Sequence, residues 1–222
     1  MHQPQLIAPL MLVLLGLAAC SHDGNGNGTQ RVNGSVHLVA GEPNGNAATV
    51  NGAISIDDKA SFGSADSING DIWVGAGASG TSAKTVNGGI TLDKGARLSG
   101  EVTSVNGNLT LNDGAEAKAV SSINGTIIIN DAVVNQDIAT VDGDITLNGH
   151  TRIQGNIRVH NLPPDTVQAE RPPPVVIIGP GATVQGKLRF EHSAKLYVSD
   201  KATVGPIEGA TPITFSGDKP LL

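Results

Sequence analysis

From Arg31 onward, apolar and polar residues follow one pattern that returns about every 18 residues. Seven segments carry it: RVNGSVHL, TVNGAISI, SINGDIWV, TVNGGITL, SVNGNLTL, SINGTIII and TVDGDITL. The Asn or Asp before the glycine falls at Asn33, Asn51, Asn69, Asn87, Asn106, Asn124 and Asp142, in steps of 18 with a single step of 19. Apolar ladders accompany it. One joins Val32, Val50, Ile68, Val86, Val105, Ile123 and Val141. A second joins Val36, Ile54, Ile72, Ile90, Leu109, Ile127 and Ile145, and a third Leu38, Ile56, Val74, Leu92, Leu111, Ile129 and Leu147. The last two lie two residues apart, which is strand spacing; the three-and-four spacing of a helix does not fit. Ala60, Ala78, Ala96 and Ala115, together with Val102, Val120 and Ile138, bring apolar residues round three times per period. The pattern predicts an all-β fold: a single-stranded, three-sided parallel β-helix, or β-solenoid, with about 18 residues per coil.

An Asn-Gly pair between long alternating strands signals a hairpin, but these strands are too short and the repeat never reverses sense. The pair therefore marks a corner. Glycine is expected there for its ready access to positive φ. The stacked side chains at Asn33, Asn51, Asn69, Asn87, Asn106, Asn124 and Asp142 are expected to hydrogen-bond along the column as a structural corner ladder.

After the seventh copy, RIQGNI at 152–157 matches RLSGEV at 97–102, and then the register is interrupted. Residues 161–174, NLPPDTVQAERPPP, carry five prolines where the next Asn-Gly corner belongs, and VIIGPGATVQGKL from Val176 resumes the match. The segment reads as a loop leaving one corner. Two looser coils begin at Leu196 and Ile213, so the solenoid spans 31–217, with a tail at 218–222. About ten coils at a strand spacing near 4.8 Å make a rod of roughly 48 Å. Pro206, Pro212 and Pro220 in the last coils remove donors that an added strand would need.

Composition supports thin stacked coils. The 222 residues are 39% hydrophobic but only 2% aromatic, with 29 glycines. Small aliphatics fill a narrow interior, whereas one compact core leans on aromatic rings. The net charge is −6 and the fourteen Lys and Arg are scattered singly, so no basic face attracts nucleic acid. Charge differs along the rod: Arg31 to His150 holds six basic and thirteen acidic residues, Thr151 to Leu222 eight and six.

Leu6 to Ala19 is an apolar run of signal-peptide length, too short to span a bilayer. Its end, Leu17-Ala18-Ala19-Cys20, resembles the bacterial lipobox. That resemblance implies cleavage after residue 19 and lipidation of Cys20, the only cysteine. Ser21 in place of Asp implies the outer membrane as destination. Residues 20–30 then form a lipidated tether, flexible on composition, reaching about 18 Å as a random coil.

The runs V-x-G-x-I, G-A-x-V-x-G and K-L-Y-V across Arg31 to Gly217 resemble the bactofilins, a polymer-forming bacterial cytoskeletal family. The resemblance implies a three-sided, right-handed β-helix. Typical members act in the cytoplasm or on the inner membrane and polymerise end to end, whereas this chain carries an export signal. Hexads such as VNGGIT, LDKGAR and LSGEVT also resemble left-handed hexapeptide-repeat proteins, which stand as the second fold. Enzymes of that type place histidines between chains as bases or zinc ligands. Here His22, His37, His150, His160 and His192 neither repeat at the coil spacing nor pair at ligand spacing, and they read as solvated. Asp57, Asp93 and Asp200 sit at corner-like positions without the calcium-binding nonapeptide pattern. Trp73, between inward Ile72 and Val74, faces outward as the one candidate sugar platform.

No catalytic set, metal site or cofactor is expected. The sequence points to a non-enzymatic, lipid-anchored envelope protein of structural or interaction type, facing the periplasm or cell surface. Its expected partners are the membrane, envelope or cell-wall components, and further copies of itself. The alternatives are a carbohydrate-binding or carbohydrate-active β-helix and a hexapeptide-like enzyme.

Overall fold

A computed structural model describes residues 28–42, 44–161 and 172–221. Cys20 and most of the proline-rich segment lie outside the described residues. All the described strands form three parallel sheets, of ten, ten and seven strands, which are the three walls of a solenoid. The first wall runs from Thr29–Asn33 to Ile207–Glu208, the second from Val36–Leu38 to Pro212–Phe215, and the third from Ser79–Gly80 to Thr203–Val204. The chain passes from first to second to third wall and rises one coil per circuit. The first strand begins at Thr29, inside the segment expected to be tether, because the Thr29 N–H already bonds to the Asn46 carbonyl at 2.8 Å.

The second wall is the most regular. Each of its strands from Val36–Leu38 to Ile145–Asn148 turns two aliphatics inward, and these are essentially inaccessible from Val36 through Leu147. A fully buried Ile or Leu stabilises by about 1.5–3 kcal/mol, so repetition alone builds a continuous core.

The first wall is built differently from what its apolar ladder suggests. From Val32 to Ile123 that ladder faces outward: Val32 is 68% exposed and Val50, Ile68, Val86, Val105 and Ile123 are half-buried. The period-two pleat decides this, because from Val50 onward each lies between an inward hydroxyl residue and the exposed corner Asn. The inward positions hold Ala47, Ala65 and Ala83, then Val102, Val120 and Ile138, with a parallel column of Thr49, Ser67, Thr85, Ser104, Ser122 and Thr140. Four of the buried hydroxyls are satisfied by the corners: Thr49, Ser67, Thr85 and Ser104 donate to the carbonyls of Gly34, Gly52, Gly70 and Gly88 at 3.0–3.2 Å.

The single 19-residue step is placed by the pairing. Leu98 lies opposite Gly80, 18 residues back, but Val102 lies opposite Ala83, 19 back. The added residue sits between third and first walls, at Ser99-Gly100-Glu101. Opposite Gly80, the ring of Phe62 occupies the space that a side chain on Gly80 would need, so a large residue in one coil fills the gap left by glycine in the next.

Candidate functional site

Asn33, Asn51, Asn69, Asn87, Asn106 and Asn124 form an unbroken chain of side-chain bonds. From Asn51 onward each Nδ2 donates to the Oδ1 one coil earlier, at 2.8–3.0 Å. Asp142 continues the column but carries no amide to donate, so the chain of amides ends at Asn124. A second ladder, unnoticed in the sequence, runs along the next corner. Asn112 donates to Asp93, Asn130 to Asn112 and Asn148 to Asn130, at 2.8–3.3 Å. Asp93 stands at the end that only accepts, where a carboxylate serves as well as an amide. The signal was the column Asp93, Asn112, Asn130, Asn148 directly after the third apolar ladder.

Glycine follows each Asn of the first column for a different reason than positive φ, which in that column only Gly34 adopts, at 112°. A Cβ on Gly52, Gly70, Gly88, Gly107, Gly125 or Gly143 would overlap the carbonyl oxygen of the glycine one coil earlier. The coils touch backbone to backbone there. Positive φ is concentrated at the second corner, at Gly77, Gly95, Gly114, Gly149 and Gly181 (60° to 82°), with Lys59 and Asp131 in the same conformation. At Asp131 the cost for a non-glycine residue is offset by its Oδ1, which accepts the His150 N–H at 2.7 Å.

Corner acids are used in the same way elsewhere. Asp58, Asp71 and Asp144 accept the N–H of Ala76, Gly89 and Val175 in the next coil, each at 2.7 Å. Asp57 bonds to His37 at 2.6 Å, which holds its carboxyl below the ordinary value. Asp93 belongs to the ladder, and the Asp200 N–H bonds to the Phe215 carbonyl. Among the described residues no group of three His, Cys, Asp or Glu side chains is close enough to hold a metal ion.

The histidines are not uniformly solvated. His37 and His150 are exposed beside acids, but His160 is only 9% exposed, with Nδ1 at 3.3 Å from Glu191. In continuing register, His160 and Glu191 follow Val141 on the outward stripe. His192 reaches back to the Val141 carbonyl at 2.9 Å. Burial pushes the Glu191 carboxyl up, but the Asn161 N–H, His160 and Arg189 outweigh it and hold the group below its ordinary value. This cluster roots the proline-rich loop. Where the loop returns, Asn124, Asp142, Asp144 and Pro172 to Val175 line a shallow cleft of about 290 Å³.

On the second wall, His37, Ser55, Trp73, Thr91, Thr110, Ile128, Thr146, Ile177 and Tyr197 follow one another outward in register. Trp73 is 40% exposed. Its ring stands between the short side chains of Ser55 and Thr91, so one face of the rod presents an aromatic plane among hydroxyls. The chain matches no protein-family model, no curated protein and no solved structure.

Proposed function

We propose that this protein is a lipid-anchored rod of the outer membrane, non-enzymatic, which holds flat repetitive faces at a distance from the bilayer for structural or binding contacts. The observation that carries the reading is the in-register stack of ten coils behind a lipobox-like Leu17-Ala18-Ala19-Cys20. Side-chain ladders, corner carboxylates and the hydroxyls of Thr49, Ser67, Thr85 and Ser104 bond coil to coil, which is what a stiff spacer needs. The ladder asparagines and the carboxylates of Asp57, Asp58, Asp71, Asp93, Asp131 and Asp144 are engaged in these bonds. The bactofilin-like reading belongs to the same proposal: a related solenoid used outside the cytoplasm, with self-association as one mode of action.

A carbohydrate-binding role is the second reading, and Trp73 favours it. Co-sedimentation of the purified protein with peptidoglycan sacculi, and with soluble exopolysaccharide in parallel, separates the two. Binding that falls at least tenfold in Trp73→Ala supports the sugar platform. Absence of polysaccharide binding alongside capture by envelope proteins supports the scaffold.

A further inference from the structure

All six asparagines of the first ladder precede glycine, the sequence in which the following backbone nitrogen most easily attacks the side-chain amide. The structure does not treat these six alike. Gly34, Gly52 and Gly70 each donate their N–H to the next coil, to the carbonyls of Asn51, Asn69 and Asn87, at 2.9–3.1 Å. Among the described residues, the N–H groups of Gly88, Gly107 and Gly125 form no hydrogen bond. The side chains differ too. Asn51, Asn69, Asn87 and Asn106 are held at both ends, donating through Nδ2 and accepting through Oδ1. Asn124 donates to Asn106, but its own Oδ1 accepts nothing among the described residues, since the next rung is Asp142. It is exposed and opens on the cleft beside Pro172 to Pro174, which has room for water.

The second ladder ends in the same way. Asn148 donates to Asn130 at 2.8 Å, the next coil offers Gly179 in place of another amide, and the N–H of Gly149 is unbonded among the described residues. Asn112 and Asn130 precede Asp113 and Asp131, which have side chains and slow the reaction.

We propose that the last rungs, Asn124 and Asn148, each beside an unbonded glycine N–H, are the sites at which these ladders undergo spontaneous amide-to-acid conversion. The Gly125 or Gly149 nitrogen loses its proton to solvent base and bonds to the Asn Cγ. The Cγ–Nδ2 bond breaks and ammonia leaves, forming a five-membered imide. Water opens the ring at either carbonyl, giving aspartate or isoaspartate. An internal rung resists because turning its Cγ toward the backbone breaks two ladder bonds at once, and at Asn51 and Asn69 the nucleophile is tied up as well. At Asp142-Gly143, where the corresponding acid is already encoded, the Gly143 N–H is held by Thr140 Oγ1 at 2.9 Å.

The test is peptide mapping by mass spectrometry of the folded, full-length protein held at mildly alkaline pH, with Asn44-Gly45 in the first-coil loop as internal reference. Asn124 and Asn148 convert several-fold faster than Asn87 and Asn106, and Asn51 and Asn69 are slowest. Conversion of Asn51 or Asn69 as fast as Asn124, or an intact Asn124 when Asn44 has converted, overturns the proposal. In Asp142→Asn the first ladder gains a rung, so conversion at Asn124 slows several-fold while Asn148 is unchanged; an unaltered rate at Asn124 contradicts it. In the urea-unfolded chain the Asn-Gly sites converge on similar rates, and persistence of the folded-state order there also overturns it.

Discussion

Ser122 illustrates how closely the first wall is fitted residue by residue. Thr49, Ser67, Thr85 and Ser104 each give their hydroxyl proton to a glycine carbonyl one coil earlier, whereas the Ser122 oxygen is buried without a partner. Removing a satisfied buried hydroxyl costs about 1 kcal/mol, and removing an unsatisfied one costs nothing or stabilises. Ser104→Ala is therefore expected to lower the unfolding free energy by about 1 kcal/mol and Ser122→Ala to leave it equal or higher. Urea denaturation of the two variants checks the difference. This column was illegible in the sequence because Ala, Ser and Thr read as turn or surface residues; they are inward only through alternation from the wall end. The corner asparagines stood out because their spacing is so regular, but the reason for the glycines did not. Backbone contact between coils leaves no mark in one copy, and Gly-rich corners carry the same letters whether φ or space requires them.

At the scale of elements, the second wall was readable outright, since two aliphatics in every strand repeat without exception from Val36 to Leu147. The third wall was harder, because two-residue strands such as Arg97–Leu98 and Thr183–Val184 give no periodicity to follow. The ends of the walls carry a directional detail. In the earlier coils the first residue of each second-wall strand, Val36, Ile54, Ile72, Ile90, Leu109 and Ile127, donates its N–H forward to the next coil. Pro212 is paired with Leu196 at that same position and has no N–H to give. Pro212→Ala restores the forward donor, and light scattering at high concentration is expected to show more end-on association than in the parent; equal or lower association counts against the blocked edge. At the loop root, Glu191 has its carboxyl held below the ordinary value. A depressed folded value means that the contribution is present above the unfolded-state pKa and is lost as pH falls through the folded one. Acid titration of stability is expected to be shallower in Glu191→Gln than in the parent below about pH 5; an identical acid limb excludes this carboxylate as a stabilising group.

For the whole molecule, stiffness follows from stacking: each coil bonds only to its neighbours, so the rod is as continuous as its weakest junction. Across the coil from which the proline-rich segment leaves, both main walls stay paired in register, while the amide ladder has ended at Asn124 and the His160–Glu191 pair takes over the outward stripe. We propose that such a rod is held at the outer membrane by a lipid on Cys20. Intact mass and membrane fractionation of the native protein, compared with Cys20→Ser, test it most directly. A lipid-sized mass gain on Cys20 and an outer-membrane location that the substitution abolishes are expected. An unmodified chain in the cytoplasmic fraction, indifferent to Cys20→Ser, would contradict it.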